Sequence, residues 1–317
     1  MNILVTGGAG FIGSHLTDRL LHVHSTAQPI FVTVIDNLSC GHKEFVASQA
    51  NFIQADITHK EQIYDIIKSG NFDMVYHLAA QKNLRYSFEH PQLDAEQNII
   101  GFLHVLEACR LYGVKQVVYI SSGGALYGDK AAIPTAETAV IHCSSPYAIS
   151  KYTGELYAQY YAEKYQLQCT ILRFANVYGP RQEPTGEAGV ISIFIDCIQK
   201  GRSFTIFGDG EQTRDYVYVD DVVDACIRVL SQNLDLQASN QYNIGTGKET
   251  SVNTIAHLIQ RVSGQAMPIQ HGAAISGELR RSALDSSRFM QQFQWRPRTS
   301  LEEGIQKTVE WFFTTKK

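Results

Sequence analysis

The sequence predicts an α/β fold: a Rossmann-like, doubly wound parallel sheet followed by a smaller C-terminal α/β domain. Three observations carry this. Short Val/Ile-rich runs alternate with amphipathic stretches through the first half, a glycine-rich turn separates the first run from the first amphipathic stretch, and the alternation loosens after QCTILRF into VYGPRQEPTGEAG. Continuous apolar strands joined by helices imply parallel pairing with both faces covered, because a parallel connection needs a crossover.

Taken in order, NILVTG opens as a strand and FIGSHLTDRLLHV follows as a helix. FVTVIDN and FIQAD read as strands, EQIYDIIKSG as a helix, MVYHLAA as a strand, AEQNIIGFLHVLEACRLYG as a helix and QVVYIS as a strand. Ser145 caps a further helix that begins at Pro146. The helical DDVVDACIRVLS and the strand-like QYNIG return to the first domain. The expected division is therefore residues 1-173, rejoined by about 219-245, against 174-218 and 246-317. The Tyr-rich run YTGELYAQYYAEKY sets aromatics at helical spacing, which reads as packing.

Composition narrows the classes. A chain of 317 residues, 44% hydrophobic, can bury a core for two unequal domains. Its six cysteines are spread singly, with no pair spaced for zinc and no disulfide framework, which fits a reducing cytoplasm. The opening MNILVTGGAG has no basic leader, and no segment reaches the roughly 20 apolar residues of a membrane span. A net charge of -4 offers no field for nucleic acid, so an anionic ligand has to be held by local donors. His22, His24 and His77 lack partners at metal-ligand spacing, and His77 in its apolar strand reads as a satisfied buried imidazole; no metal is expected.

The first motif is VTGGAGFIG, with Gly7, Gly10 and Gly13 between the opening strand and its helix. Such glycines allow a tight turn, a close backbone approach to a pyrophosphate and close helix-to-strand packing, while the helix N-terminus offers unpaired N–H donors. Phe11 and Ile12 belong to the same turn. Asp36 ends the second strand, where a carboxylate accepts ribose hydroxyls and repels a 2′-phosphate, so NAD is favoured over NADP. Asn37 adjoins it. Asp56, followed by Ile57, either reaches the adenine or caps the next element.

The second motif is SPYAISK, whose spacing puts Tyr147 and Lys151 on one helix face. A phenol with an ordinary pKa near 10 is a poor base at neutral pH. A nearby ammonium and a cationic nicotinamide would both favour the phenolate and make Tyr147 a general base.

Together VTGGAGFIGSH, VIDNLS, HLAA, SPYAISK and RDYVYVDDV resemble the extended short-chain dehydrogenase/reductases, and among them the NAD-dependent nucleotide-sugar 4-epimerases. The resemblance covers nearly the whole chain and weakens after about residue 245. It implies tightly bound NAD contacted by the glycine turn, Asp36, Asp56, Leu78, Ala79, Ala80, Lys82, Asn98, Tyr147, Lys151 and Phe174. It also implies a UDP-sugar in a cleft between the domains, with Asn176 and Arg214 on the diphosphate and Phe207 near the base, and a homodimer built on the helices near 92–112 and 152–165. A structural ion pair is the competing role for Arg214.

The loop SSGGALYG departs from that pattern. The family's Ser or Thr, four residues before the Tyr-Gly, falls on Gly123, which leaves Ser122 as the nearest hydroxyl to serve directly or through a water. Related dehydratases and decarboxylases carry acids just after that position, whereas Gly124 and Ala125 stand here. The loop therefore lacks the acid and base that elimination needs, and reversible oxidation at C4 remains.

In YGPRQE, Glu183 replaces the second arginine typical of glucuronate epimerases, which argues against a carboxylate-bearing sugar. SGELRRSALD resembles the family's phosphate-binding stretch, but its usual arginine falls on Ile275, so Arg280 or Arg281 is expected to take that contact. Ser282 matches the position that limits pocket size, and a small residue there leaves room for an N-acetyl group. The implied reaction interconverts UDP-glucose and UDP-galactose through a 4-keto sugar. Two alternatives stay open: a nucleotide-sugar oxidoreductase that releases NADH, and a non-catalytic NAD-binding protein on the same fold.

Overall fold

The computed structural model describes residues 1–23, 29–184, 189–230, 240–275 and 279–315. Its first stretch runs β1 (Asn2–Thr6), α1 (Phe11–His22), β2 (Phe31–Asp36), β3 (Asn51–Gln54), α2 (Lys60–Gly70), β4 (Met74–His77), α3 (Leu84–Glu89) and α4 (Pro91–Ala95). A π turn over Glu96–Ile100 leads into α5 (Gly101–Leu111), then β5 (Gln116–Ser122), α6 (Gly123–Leu126), α7 (Pro146–Tyr165) and β6 (Gln168–Phe174). There follow β7 (Asn176–Tyr178), α8 (Val190–Gln199), β8 (Phe204–Phe207), β9 (Thr213–Arg214), β10 (Tyr216–Tyr218) and α9 (Val219–Leu230). The chain ends with β11 (Gln241–Ile244), β12 (Thr250–Ser251), α10 (Val252–Ser263), β13 (Ile269–Gly272), α11 (Ser287–Phe293) and α12 (Leu301–Thr315).

Seven strands form the main sheet in the order β11-β6-β5-β4-β1-β2-β3, and β1–β2, β2–β3, β1–β4 and β4–β5 pair in parallel. The order reverses between β1 and β4. Ligands of open α/β sheets bind beyond the carboxyl ends of the strands at such a switch point. The long helix expected over AEQNIIGFLHVLEACRLYG is instead broken, with Glu96–Ile100 wound as a π turn. Helical spacing of apolar residues does not register one extra residue in a turn, so this feature escaped the periodicity.

The chain divides into two compact units. One comprises Met1–Ser122, Ser145–Arg173 and Val223–Tyr242, the other Gly123–Ser144, Phe174–Val222 and Asn243–Lys317. Segment Gly123–Ser144 thus falls with the second unit, whereas the strand-helix alternation assigns it to the first.

In the first unit α2 and α5 cover one sheet face, where Leu4, Ile35, Ile63, Ile67, Val75, Phe102, Val105, Leu106 and Val117 are buried together. Each such side chain contributes about 1.5–3 kcal/mol relative to exposure. A buried ion pair ties α7 to β6: Arg173 Nη2 lies 2.5 Å from Glu155 Oε2, and its Nε donates to Glu155 Oε1 at 2.9 Å.

The second unit is built on short pairs, β7 with β10 and β8 with β13 in parallel and β9 with β12 antiparallel. Its helices α8, α10 and α12 pack on one another. Trp295 is buried and donates from Nε1 to the Asp221 carbonyl at 3.0 Å. Among the described residues no helix is long and apolar enough to cross a membrane.

Candidate active site

The glycine turn leaves β1 at the switch point. Gly7 has φ 70°, and a Cβ there would stand 2.7 Å from the Ala79 N, so the turn lies against the segment after β4. A Cβ on Gly13 would overlap the Gly7 carbonyl, which allows α1 to start close to the strand. Gly10 caps α1 without a side-chain hydrogen bond, and the first turn carries no acidic residue. Phe11 and Ile12, both half-buried, belong to that turn, whose N–H groups and dipole favour an anion.

Asp36, at the end of β2, accepts the Ala9 N–H at 3.1 Å on Oδ2 and the Leu38 N–H at 2.9 Å on Oδ1. Burial pushes its carboxyl up despite those bonds. Burial raises Asp56, but hydrogen bonds from Asn37 Nδ2 (2.7 Å) and from the Thr58 N–H and hydroxyl outweigh it and lower the carboxyl from its ordinary value. Asp56 therefore closes an Asx turn on Thr58 ahead of α2, whose N-cap is His59 without a side-chain bond. Ile57 belongs to the core.

Leu78 and Ala79 are tied to the end of β1, Leu78 N–H to the Thr6 carbonyl (3.1 Å) and Ala79 N–H to the Thr6 hydroxyl (3.2 Å). His77 bonds the same hydroxyl at 3.0 Å, and burial pushes its imidazole down to about 3, so it is neutral and structural. His22 Nδ1 bonds the Asp18 carbonyl at 2.6 Å, while His24 lies outside the described residues. Ala80 is half-buried, Lys82 exposed and Phe174 buried.

Asn98 sits in the π turn with its amide committed within the chain. Nδ2 donates to the Gln81 carbonyl (2.9 Å) and Asp94 Oδ1 (3.0 Å), and Oδ1 accepts the Gln81 N–H at 2.8 Å. Its donors orient the segment after β4, which leaves lone-pair capacity on Oδ1 for a ligand.

The Ser145 hydroxyl accepts the Ala148 N–H at 3.1 Å and Pro146 opens α7, which fixes the turn holding Tyr147 and Lys151. Tyr147 is half-buried, its N–H donates to Ser87 Oγ at 3.2 Å, and the Ser122 side chain acts to lower its phenol pKa. Lys151 is buried, donates to the Ile120 carbonyl at 2.9 Å and lies 5.1 Å from the Tyr119 ring centroid.

The electrostatics correct one expectation. Burial pushes the Tyr147 phenol up to about 12; the Ser122 bond opposes this and Asp94 adds to it. Lys151 does not set the balance. Burial pulls its ammonium down to about 8 against Asp94 and Glu155, and its proton is directed at Ile120. The phenol is accordingly protonated at neutral pH.

Next to Ser122, the Ser121 hydroxyl is buried with no hydrogen-bond partner. An orphaned buried hydroxyl favours a polar group from outside the chain. With the uncapped α1 and Asp36, it makes the first unit fit a dinucleotide.

In the second unit Asn176 opens β7, its N–H on the Asp215 carbonyl at 2.9 Å, and Phe207 is exposed at the end of β8. Arg214 Nη1 donates to the Thr213 carbonyl at 2.8 Å. Arg280 and Arg281 are each paired with an acid. Arg280 holds Asp209 through two bonds of 2.7 and 2.9 Å, and Arg281 holds Glu249 through two of 2.9 and 2.5 Å. A carboxylate matches the guanidinium fork as a phosphate does, so a phosphate would have to displace it. Ser282 is half-buried, as are Ile275 and Glu183, and residues 276–278 of SGELRRSALD lie outside the described residues.

One organising residue went unread. Asp215, buried in RDYVYV, accepts the N–H groups of Thr246, Gly247 and Leu284 and the Thr246 hydroxyl. Its place beside Arg214 was the available signal.

A glycine turn at the switch point followed by a Tyr/Lys pair on one helix defines a dinucleotide-dependent enzyme of the short-chain dehydrogenase/reductase class. The chain belongs to the NAD dependent epimerase/dehydratase family, which matches residues 3–245. It is 42% identical over 317 residues to a UDP-glucose 4-epimerase of Mycolicibacterium smegmatis, covering 98% of each chain. Among solved structures it is similar to the UDP-glucose 4-epimerase of Thermotoga maritima with UDP-glucose, at a TM-score of 0.95 and 43% identity over 100% of both chains. It is also similar to that of Thermus thermophilus in complex with NAD, at 0.92 and 39% identity over 99% of this chain and 100% of the other.

Proposed function

We propose that the chain is an NAD-dependent 4-epimerase that interconverts UDP-glucose and UDP-galactose through a 4-keto sugar. The observation that carries this reading is the placement of Tyr147 and Lys151 one turn apart on α7, with the Ser122 side chain acting to lower the phenol pKa. Bound NAD supplies a hydride acceptor and donor at C4 and a cationic ring that favours the phenolate. With NAD bound the Tyr147 phenol first gives up its own proton to solvent; the phenolate then takes the proton of the 4-hydroxyl and later returns it, with the Ser122 hydroxyl positioned to stabilise the phenolate. Lys151 braces the turn through the Ile120 carbonyl and adds positive charge nearby. Gly124 and Ala125 offer no acid or base for elimination, which favours epimerisation over dehydration.

In this reading Asn176, Phe207 and Arg214 hold the nucleotide, and Arg280 or Arg281 exchanges its carboxylate partner for phosphate on binding. Glu183 disfavours a glucuronate substrate. The small Ser282 admits UDP-N-acetylglucosamine as a second substrate, and Ser282→Tyr should lower its turnover selectively; equal rates for variant and wild type exclude this role. The described cysteines are all free, in keeping with a cytoplasmic enzyme. Exposed Ile149, Leu156 and Tyr160 on α7, Ile100 at the end of the π turn and Leu111 at the end of α5 support a homodimer.

The test is proton NMR of the purified protein with UDP-glucose and UDP-N-acetylglucosamine, first without and then with added NAD. The galacto anomeric signal with no rise in absorbance at 340 nm supports the epimerase. A continuous rise would favour a dehydrogenase, and no conversion a binding protein.

A further inference from the structure

Behind Tyr147 lies a carboxylate that the proposed chemistry does not use. Asp94, the fourth residue of α4, is 0% exposed. Its Oδ1 accepts from Gln81 Nε2 at 2.9 Å and Asn98 Nδ2 at 3.0 Å, and its Oδ2 accepts from Ser150 Oγ at 2.6 Å. All three donors are neutral. Burying a carboxylate among neutral donors is costly, and a hydrophobic residue of similar size would avoid that cost.

The donors come from three separate segments. Gln81 follows β4 and also exchanges two bonds with Asn98, Asn98 lies in the π turn, and Ser150 sits on α7 between Tyr147 and Lys151. A π turn places one residue out of helical register and is frequent at functional sites. Here it turns Asn98 toward both Gln81 and Asp94.

We propose that Asp94 is a positioning residue: its carboxylate pins the Tyr147–Lys151 turn of α7 to Gln81 and Asn98 and places a negative charge beside both catalytic groups. This rests on the reading of Tyr147 as the proton acceptor. The charge opposes the phenolate and favours the ammonium, raising both groups. Tyr119 on β5 senses it too; Glu155 on α7 acts on Lys151 and Tyr119, and His77 on β4 senses Lys151. Glu89, His90 and Glu96, on the segments flanking Asp94, are exposed.

Two variants separate charge from geometry. Asp94→Asn keeps all three bonds, because its oxygen accepts from Gln81 and Asn98 while its amide donates to a rotated Ser150 hydroxyl. It should retain NAD affinity and move the basic-group limb of the pH–kcat profile to lower pH. Asp94→Ala removes the anchor and should weaken NAD binding about tenfold or more, measured by calorimetry on cofactor-stripped protein. An unmoved limb in Asp94→Asn, or unchanged NAD affinity in folded Asp94→Ala, overturns the proposal. If Asp94→Ala does not fold, Ser150→Ala removes the α7 bond alone: lower kcat at unchanged NAD affinity supports the proposal, and unchanged kcat overturns it. NAD affinity is read without turnover, and an inactive wild type with normal NAD binding would locate the failure in the epimerase reading instead.

Discussion

Leu284 fills the space that a side chain at residue 123 would occupy: a Cβ on Gly123 would stand 2.5 Å from Leu284 Cδ1 and 2.9 Å from Cδ2. Leu284 is itself buried, so it has little room to retreat. The missing hydroxyl at Gly123 is thus matched by a bulky neighbour, and the hydroxyl that acts on the Tyr147 phenol comes from the residue before.

Restoring the family hydroxyl should therefore harm the protein. Gly123→Ser overpacks this contact and is expected to cost about 1–3 kcal/mol. Combined with Leu284→Ala, the loss should fall short of the sum of the two single changes, since each relieves the other. Urea denaturation of the four proteins measures this; strict additivity would mean the two residues do not compete for the space.

Ser122→Ala should lower kcat roughly tenfold to a hundredfold, as the loss of one hydrogen bond to a charged group, about 1.5–3 kcal/mol, does. The Ser122 bond lowers the Tyr147 pKa, so its loss should carry the basic-group limb of the pH–kcat profile to higher pH. Ser122→Thr should recover most of the rate. A rate loss with an unmoved limb would assign Ser122 a packing role only.

Lys151 should cost stability. Its folded value of about 8 lies below the ordinary 10.5, so between those limits the unfolded chain binds more protons and stability rises with pH. Below about pH 8 the full penalty of the buried ammonium is present. Lys151→Met is accordingly expected to be inactive yet more stable at pH 7, by on the order of 2 kcal/mol after the lost bond to Ile120 is counted. That advantage should shrink from pH 8 upward in paired urea titrations; a variant less stable at pH 7 would refute the assignment.

Ile149, Leu156 and Tyr160 lie seven and four residues apart on α7, which puts them on one exposed stripe. Leu156→Glu should shift the protein from dimer to monomer in sedimentation velocity while its far-ultraviolet circular dichroism is unchanged. A wild-type monomer at tens of micromolar would remove the basis for a dimer.

Much of the architecture was legible because it is local. Strand and helix alternation, the glycine turn, the Ser145 cap with Pro146, and the four-residue spacing of Tyr147 and Lys151 each depend on neighbours within one or two turns. Those residues, by themselves, determined the doubly wound sheet, the glycine turn at its switch point and the helix that bears Tyr147 and Lys151. Tertiary structure alone decided what depends on residues far apart in the chain. Lys151 is aimed at Ile120 and Arg173 meets Glu155 because β5 and β6 bring them within reach. Arg280 and Arg281 find Asp209 and Glu249, Leu284 occupies the space beside Gly123, and Asp94 and Asp215 gather backbone and side-chain donors from separate segments. Burial is equally nonlocal: it leaves the Tyr147 phenol protonated despite the lysine one turn away, because desolvation depends on everything packed around the group.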